Sequence, residues 1–410
     1  MLDELRRLSQ KFLKLKNSQY RRYLIQDQTF DHRLSVIIGQ RGVGKTTTLV
    51  QSLLDRAKGD RFDAKILYVQ ADHFQMGKVR LYEIADRFQM EGGRHLAIDE
   101  IHKYPDWSKE LKSIYDTFPQ LSVMASGSSA LEIHKGSHDL VRRALCFPMF
   151  GMSFREFLEM SYGLKLPIFS LEEIVSRHTA FAEEVIEALD VLEKKVMVEF
   201  HRYLKVGYFP YFFELKSESA YKMTLEQNLH ATVESDLTAI FPRLSGHSLK
   251  KMKDLIVFIA NSVPFTVNWT NILKALDVGD VRTVKGYFKH LEQAQIIRSL
   301  PRATDKFSRL ESAEKVFLDN PNQLCAISTG GINQGTLRET FLLSMLAKDH
   351  RAAAPKNGDF VINGDIVIEV GGASKTARQI KSEKNGYLAC DNLEVGAGRK
   401  IPLWLFGCLY

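Results

Sequence analysis

The chain has 410 residues, 45% of them apolar, and 56 lysines and arginines stand against 49 aspartates and glutamates for a net charge of +7. That length exceeds one ordinary hydrophobic core, so two to four domains are expected, and a basic excess spread this thinly points only weakly to an acidic partner such as nucleic acid. No uninterrupted apolar window reaches the roughly 18 residues of a membrane span, and the four cysteines, Cys146, Cys325, Cys390 and Cys408, form no CxxC pair. This argues against a membrane protein, a zinc site or a disulfide frame, and for a reduced, cytoplasmic protein.

Residues 1–33, beginning "MLDELRRLSQKFLKLKNSQYRRYL", carry leucines at helical spacing with charges throughout. They read as a basic amphipathic surface helix, without the apolar centre of a signal peptide. Residues 34–165 alternate short apolar runs, "LSVIIG", "AKILYVQA", "RHLAIDE" and "LSVMASG", with helical patterns. Such alternation predicts parallel βαβ units, with a ligand site at the carboxyl ends of the strands. Residues 166–247 are almost wholly helical apart from the turn "GYFPYFF". Residues 248–302 read as helix, turn, helix and strand. In the second helix Arg282, Lys285 and Lys289 face outward and Val284, Phe288 and Leu291 inward, a winged-helix pattern that makes those three cations candidate DNA contacts. Residues 303–410 hold short strands around "DFVINGDIVIEVGG" and "IPLWLFGCLY".

Gly39-x4-Gly44-Lys45-Thr46 fits the phosphate-loop pattern GxxxxGK[ST] and stands between a predicted strand and a predicted helix. Its glycines let backbone N–H groups curl around phosphates. Gly39, Gln40, Arg41, Gly42, Val43, Gly44, Lys45, Thr46 and Thr47 are therefore the candidate ATP-binding residues. Lys45 would reach the β and γ phosphates, and the Thr46 hydroxyl would hold Mg²⁺. The run "HLAIDE" ends in Asp99 and Glu100. Asp99 would join Thr46 at the Mg²⁺, and Glu100 would polarise the attacking water. Ser126, Ser128 and Ser129 end the next strand, and one of their hydroxyls would orient that water; a serine-rich helix cap is the alternative.

The succession "GQRGVGKTT", "LAIDEIHKYPDWSKELKSIYD", "SGSS", "LVRRALCFPMFGMSFREFL" resembles the prokaryotic AAA-type ATPases that carry a restriction-nuclease-like tail. Phe154-Arg155-Glu156-Phe157 matches the family's Phe-x-Glu-Phe helix, and Arg142 stands where the family has glycine. The resemblance implies a three-layer α/β P-loop NTPase core with a parallel sheet, a helical lid at 166–247, a winged helix at 248–302 and a nuclease-like α/β tail at 303–410. It implies that Arg143 is an arginine finger acting on a neighbouring copy of the chain, with a solvated basic pair as the alternative. In the tail it matches Glu339, Asp359 (or Asp365) and Glu369 to the family's metal-binding acids. The lysine expected two positions after Glu369 is absent, since Gly371 stands there, and Lys375 lies four further on. The expectation is a degenerate tail that leaves DNA intact, with a migrated Lys375 as the alternative.

Three functions stay open on these grounds: an ATP-hydrolysing switch or motor acting on nucleic acid, an ATP-gated Mg²⁺-dependent nuclease, and a nucleotide-dependent DNA-binding scaffold with negligible turnover.

Overall fold

The computed structural model describes residues 1–74, 79–128, 140, 142–262, 267–303 and 313–410. They fall into two compact units, Met1–Phe150 with Glu234–Arg243, and Gly151–Val233 with Leu244–Tyr410.

The first unit is built on β1 (Leu34–Gly39), β2 (Ile66–Gln70), β3 (His95–Asp99), β4 (Ser122–Ser128) and β5 (Leu145–Pro148). Four of the five are buried almost throughout, and all pair in parallel in the order β2-β3-β4-β1-β5. Branched apolar residues on both faces demand cover on both sides, which the intervening helices supply. The result is the three-layer P-loop NTPase fold. The apolar face of α1 (Leu2–Lys16) is part of this core: Leu2 and Leu5 pack with Leu67, Val69 and Phe88, and the Ser9 hydroxyl accepts the Tyr68 N–H at 2.9 Å. α1 thus packs into the core of the sheet unit.

The second unit starts with helix Phe154–Tyr162, whose first turn is closed by a reciprocal cap between Ser153 and Glu156. Its Arg155 is buried against Glu159 at 2.7 Å. Phe154, Phe200, Tyr203, Phe341 and Trp404 form a cluster of edge-on ring contacts. Farther along, helices Gly246–Asn261, Trp269–Leu276 and Val281–Gln293 precede an antiparallel pair, β6 (Ile297–Pro301) and β7 (Ala313–Leu318). Helix Gln334–Leu346 then leads to a five-stranded sheet of β8 (Ala352–Ala353), β9 (Phe360–Ile362), β10 (Ile366–Gly372), β11 (Gly386–Asp391) and β12 (Lys400–Pro402) in the order β12-β11-β10-β9-β8. β10, β11 and β12 run parallel, and β9 folds back antiparallel on β10.

The chain end departs from expectation. Only Lys400–Pro402 of "KIPLWLFGCLY" is strand, and Leu403–Cys408 is a fully buried 3-10 helix. A short, wholly apolar run has no polar face to mark a period, so a buried strand and a buried helical turn look alike in sequence. Among the described residues no helix is long and apolar enough to cross a membrane.

Candidate functional site

β1 ends at Gly39, and α2 (Lys45–Arg56) begins six residues later. The turn between them needs Gly44, whose φ of 106° lies in a region that L side chains rarely adopt. Lys45 is buried, and its Nζ donates to the carbonyls of Gly39 at 2.8 Å and Gln40 at 2.9 Å, so the ammonium closes the loop on itself. Burial lowers the Lys45 pKa, although the carboxylates of Glu100, Asp99 and Asp236 oppose that fall. Arg22 braces the loop from beneath, donating to the Val43 carbonyl at 2.6 Å and the Phe150 carbonyl at 3.0 Å.

Strand register brings the acids to this loop. Gly39 stands opposite Ser128, and Asp99 opposite Gln70, so the loop and the Asp-Glu pair share the carboxyl end of the sheet. The buried Asp99 carboxylate collects four donors. Thr46 Oγ1 and the Tyr68 hydroxyl donate to Oδ2, each at 2.7 Å, while the Glu100 N–H at 3.1 Å and the Ser126 hydroxyl donate to Oδ1. Burial and the adjacent Asp99 push the Tyr68 pKa up, which keeps that hydroxyl a donor. Glu100 follows the strand with φ 54°, a left-handed conformation uncommon for a glutamate. Its carboxylate lies 3.3 Å from Lys103 Nζ, and Lys103 also donates to Asp72 at 2.5 Å.

Two residues absent from the motifs complete the surroundings. Arg41 Nη2 donates to Asp236 Oδ1 at 2.6 Å, and His102 Nε2 lies 3.6 Å from the same oxygen. Nothing local marks Asp236, which is 195 positions from Arg41 in sequence.

The serines divide by role. Ser126 touches Asp99, whereas Ser128 offers its backbone N–H to His102 Nδ1 at 3.3 Å. Ser129 lies outside the described residues. Arg142 is exposed, and Arg143 grips Asp116 of α3 (Trp107–Thr117) through Nε at 2.7 Å and Nη2 at 3.0 Å. Leu145 pairs with Ser35 at the start of β1, so Arg143 lies at the end of the sheet opposite the phosphate loop.

A second charged cluster occupies the tail. Asp359 precedes β9, and the β9–β10 register sets Phe360 against Ile368, which brings Asp359 beside Glu369. The Asp359 carboxylate accepts the Val370 N–H at 2.9 Å. Asp365 lies at the other end of the hairpin, accepting from Asn385 at 2.8 Å. Lys315, from β7, bridges Glu339 at 3.1 Å and Asp359 at 3.5 Å. Burial alone would lower the Lys315 pKa, but these two carboxylates together raise it. Lys375 Nζ meets the buried Glu369 at 2.5 Å, and a Cβ added at Gly371 would stand 2.7 Å from Lys375 Cγ. The turn after β10 thus folds Lys375 into the space that a side chain at position 371 would fill. The Gln379 amide, turned nitrogen-inward, donates to both Glu369 oxygens at 2.6 and 2.7 Å. Among the described residues no three acids, histidines or cysteines converge as a metal-holding group.

On helix Val281–Gln293, Arg282 and Lys289 are exposed, and Lys285 Nζ sits 5.4 Å over the Trp269 ring.

The parallel sheet, the loop at the end of β1 and the acids at the end of β3 define a P-loop NTPase fold. Residues 31–158 match the AAA domain family, and residues 197–330 match a family described as a domain of unknown function. Uncharacterized protein MJ1637 of Methanocaldococcus jannaschii is 24% identical over 395 residues, spanning 90% of this chain and 81% of its own. Among solved structures, the Aeropyrum pernix ORC1 protein in complex with DNA aligns at 15% identity and a TM-score of 0.30, over 79% of this chain and 90% of that one. AMPPCP-bound DnaA from Aquifex aeolicus aligns at 13% identity and a TM-score of 0.27, over 66% and 86%.

Proposed function

We propose that the chain binds ATP with Mg²⁺ at residues 39–47 and hydrolyses it, working as a nucleotide-driven switch. The observation that carries this reading is the 2.7 Å hydrogen bond from Thr46 to Asp99, with Glu100 next in the chain. A hydroxyl and a carboxylate side by side are the hard oxygen donors that Mg²⁺ prefers. When bound, the ion neutralises phosphate charge. Lys45 would exchange its two carbonyl partners for phosphate oxygens. Glu100 would accept a proton from, and orient, the attacking water.

The opposite-end position of Arg143 favours action on a neighbouring copy of the chain over action at its own loop. Exposed Arg282 and Lys289 favour contact with a nucleic-acid backbone by the helix before β6 and β7, and the order of three helices and two antiparallel strands supports a winged helix there. For the tail, the pairing of Lys315 with two acids favours a nuclease-like domain that does not cut, because an ammonium group already balances the charge a metal ion would balance.

Phosphate release by the purified chain, measured with Mg²⁺ and with or without DNA, tests the main reading. Turnover abolished by Lys45→Ala supports it; no turnover above background in the unaltered chain would leave only the scaffold.

A further inference from the structure

Asp236 arrives at the phosphate loop on the segment Glu234–Arg243 of the first unit, at the end of a single π turn, Thr232–Asp236. Such turns often mark functional positions. Its side chain is 3% exposed, and it holds the guanidinium of Arg41, which belongs to the loop itself. Beyond it stands His102, whose side chain is 1% exposed. The His102 Nδ1 accepts the Ser128 N–H, so the neutral ring carries its proton on Nε2. That Nε2 has no hydrogen-bond partner among the described residues, though it lies 3.6 Å from Asp236 and 3.8 Å from Glu100. The ring N–H thus stands between two carboxylates at distances too long for a full hydrogen bond, and a short shift toward Asp236 would close one.

We propose that Asp236 is a positioning residue through which the nucleotide site tells a triphosphate from a diphosphate, by competing with the γ-phosphate for Arg41. The inference rests on the ATP-binding reading and names residues beyond it. Arg41 projects from a loop whose backbone would surround the phosphates, and its guanidinium suits a phosphate as well as a carboxylate. With a diphosphate, Asp236 keeps Arg41. With a triphosphate, Arg41 turns to the terminal phosphate and leaves Asp236 as a buried carboxylate lacking its cation. His102 then supplies the missing donor with a movement of less than about 1 Å, given that N–H···O contacts close at about 2.9 Å. The handover draws the imidazole from Glu100 toward Asp236, so the carboxylate that polarises water is relieved of a neighbour only when a γ-phosphate is present.

A brace without this role would tie the segment to the loop regardless of nucleotide, and titration calorimetry separates the two. The full chain would be titrated with ADP and with the non-hydrolysable triphosphate AMPPNP, both with Mg²⁺. Asp236→Asn should tighten AMPPNP about tenfold and alter ADP by less than about twofold, the usual size of a lost charged hydrogen bond. Arg41→Gln, at a side chain 32% exposed, keeps a hydrogen-bond donor for Asp236 and should weaken AMPPNP about tenfold while altering ADP by less than about twofold. In the Arg41→Gln background, Asp236→Asn should no longer change the ratio of the two affinities, since the competition needs both partners. Equal tightening of both nucleotides by Asp236→Asn, or the same effect with Arg41 absent, would mean that Asp236 is only a nearby negative charge, and the proposal falls. Wild-type binding to which Arg41→Gln makes no difference sinks this proposal alone. Failure of the wild type to bind either nucleotide sinks the ATP reading and this one with it.

Discussion

The nucleotide loop and the tail cluster solve related problems in different ways. Each sets a lysine beside carboxylates at the end of a strand. In the loop, the lysine position is tied to the backbone: Lys45 opens α2 directly after Gly44, and its reach to Gly39 and Gln40 depends on that one turn. In the tail, a turn holds the lysine, whose N–H donates to the Gly372 carbonyl at 2.9 Å, and the reach of its long side chain does the rest. Lys375 comes from a turn beyond β10 and still delivers its ammonium to Glu369 at 2.5 Å. Backbone N–H groups that cradle a ligand fix sequence spacing, whereas a point charge on a long stem can migrate along the chain and arrive at the same place. A missing motif residue therefore means more in the first unit than in the tail.

The largest effect expected in the first unit belongs to Arg143. If it acts on a neighbour, Arg143→Ala should reduce turnover by about 10³–10⁵. Mixing Arg143→Ala chains with Glu100→Gln chains should then restore activity, because some sites pair an intact glutamate with an intact arginine. Specific activity should also rise with protein concentration. Activity independent of concentration, with no rescue on mixing, would leave Arg143 as the local partner of Asp116. Next in size is Glu100→Gln, which should slow turnover by about 10²–10⁴ while nucleotide still binds. Lys45→Ala should instead weaken binding itself. The same turnover in Glu100→Gln as in the unaltered chain would take that residue out of the chemistry, and the comparison would lose its first half.

Much of the first unit was legible. The predicted strand Leu34–Gly39 is the strand observed, the next two lie within the predicted runs, and Ser122–Ser128 runs one residue past its own. Branched apolar runs bounded by polar turns leave little freedom, and the phosphate loop is a contiguous backbone device. What escaped was everything that long-range packing supplies. Arg22 braces the loop, Asp236 holds Arg41, and Lys315 crosses from β7 to Glu339 and Asp359. None has a spacing rule, because side chains from separate elements meet only through the fold. The choice between Asp359 and Asp365 was of the same kind. Both flank the β9–β10 hairpin, and only the register shows which of them lies beside Glu369.

Effects in the tail should be smaller and should appear in stability. The wild type should leave supercoiled and linear DNA intact with Mg²⁺ or Mn²⁺. Lys315→Ala removes the bridge between two half-buried carboxylates, and the mutual repulsion it exposes should cost about 1–3 kcal/mol, a shift of a few degrees in thermal midpoint. Added Mg²⁺ should restore part of the loss in that variant and do little for the wild type, since a cation can take the place the ammonium left. Equal Mg²⁺ stabilisation of both proteins would show that Lys315 does not compete with a metal. Cleavage of DNA by the wild type that disappears in Lys375→Ala would show instead that the migrated lysine is catalytic.

The smallest effect concerns Gly371, and it bears most directly on the difference between loop and tail. A Cβ at this position would meet Lys375 Cγ at 2.7 Å and Cβ and Cδ at 2.8 Å, all closer than carbon atoms tolerate. The clash is with a side chain, so Lys375 must swing out and surrender Glu369. Gly371→Ala should therefore destabilise the tail by about 1–2 kcal/mol, within the usual range for overpacking. Lys375→Gly clears all three of those atoms, and in that background Gly371→Ala should cost close to nothing. Chemical denaturation of the four proteins gives the coupling between the two positions. Equal costs in both backgrounds would mean that the strand, and not Lys375, resents the methyl group. The lysine would then be a visitor at Glu369 and not the occupant of the space that glycine leaves.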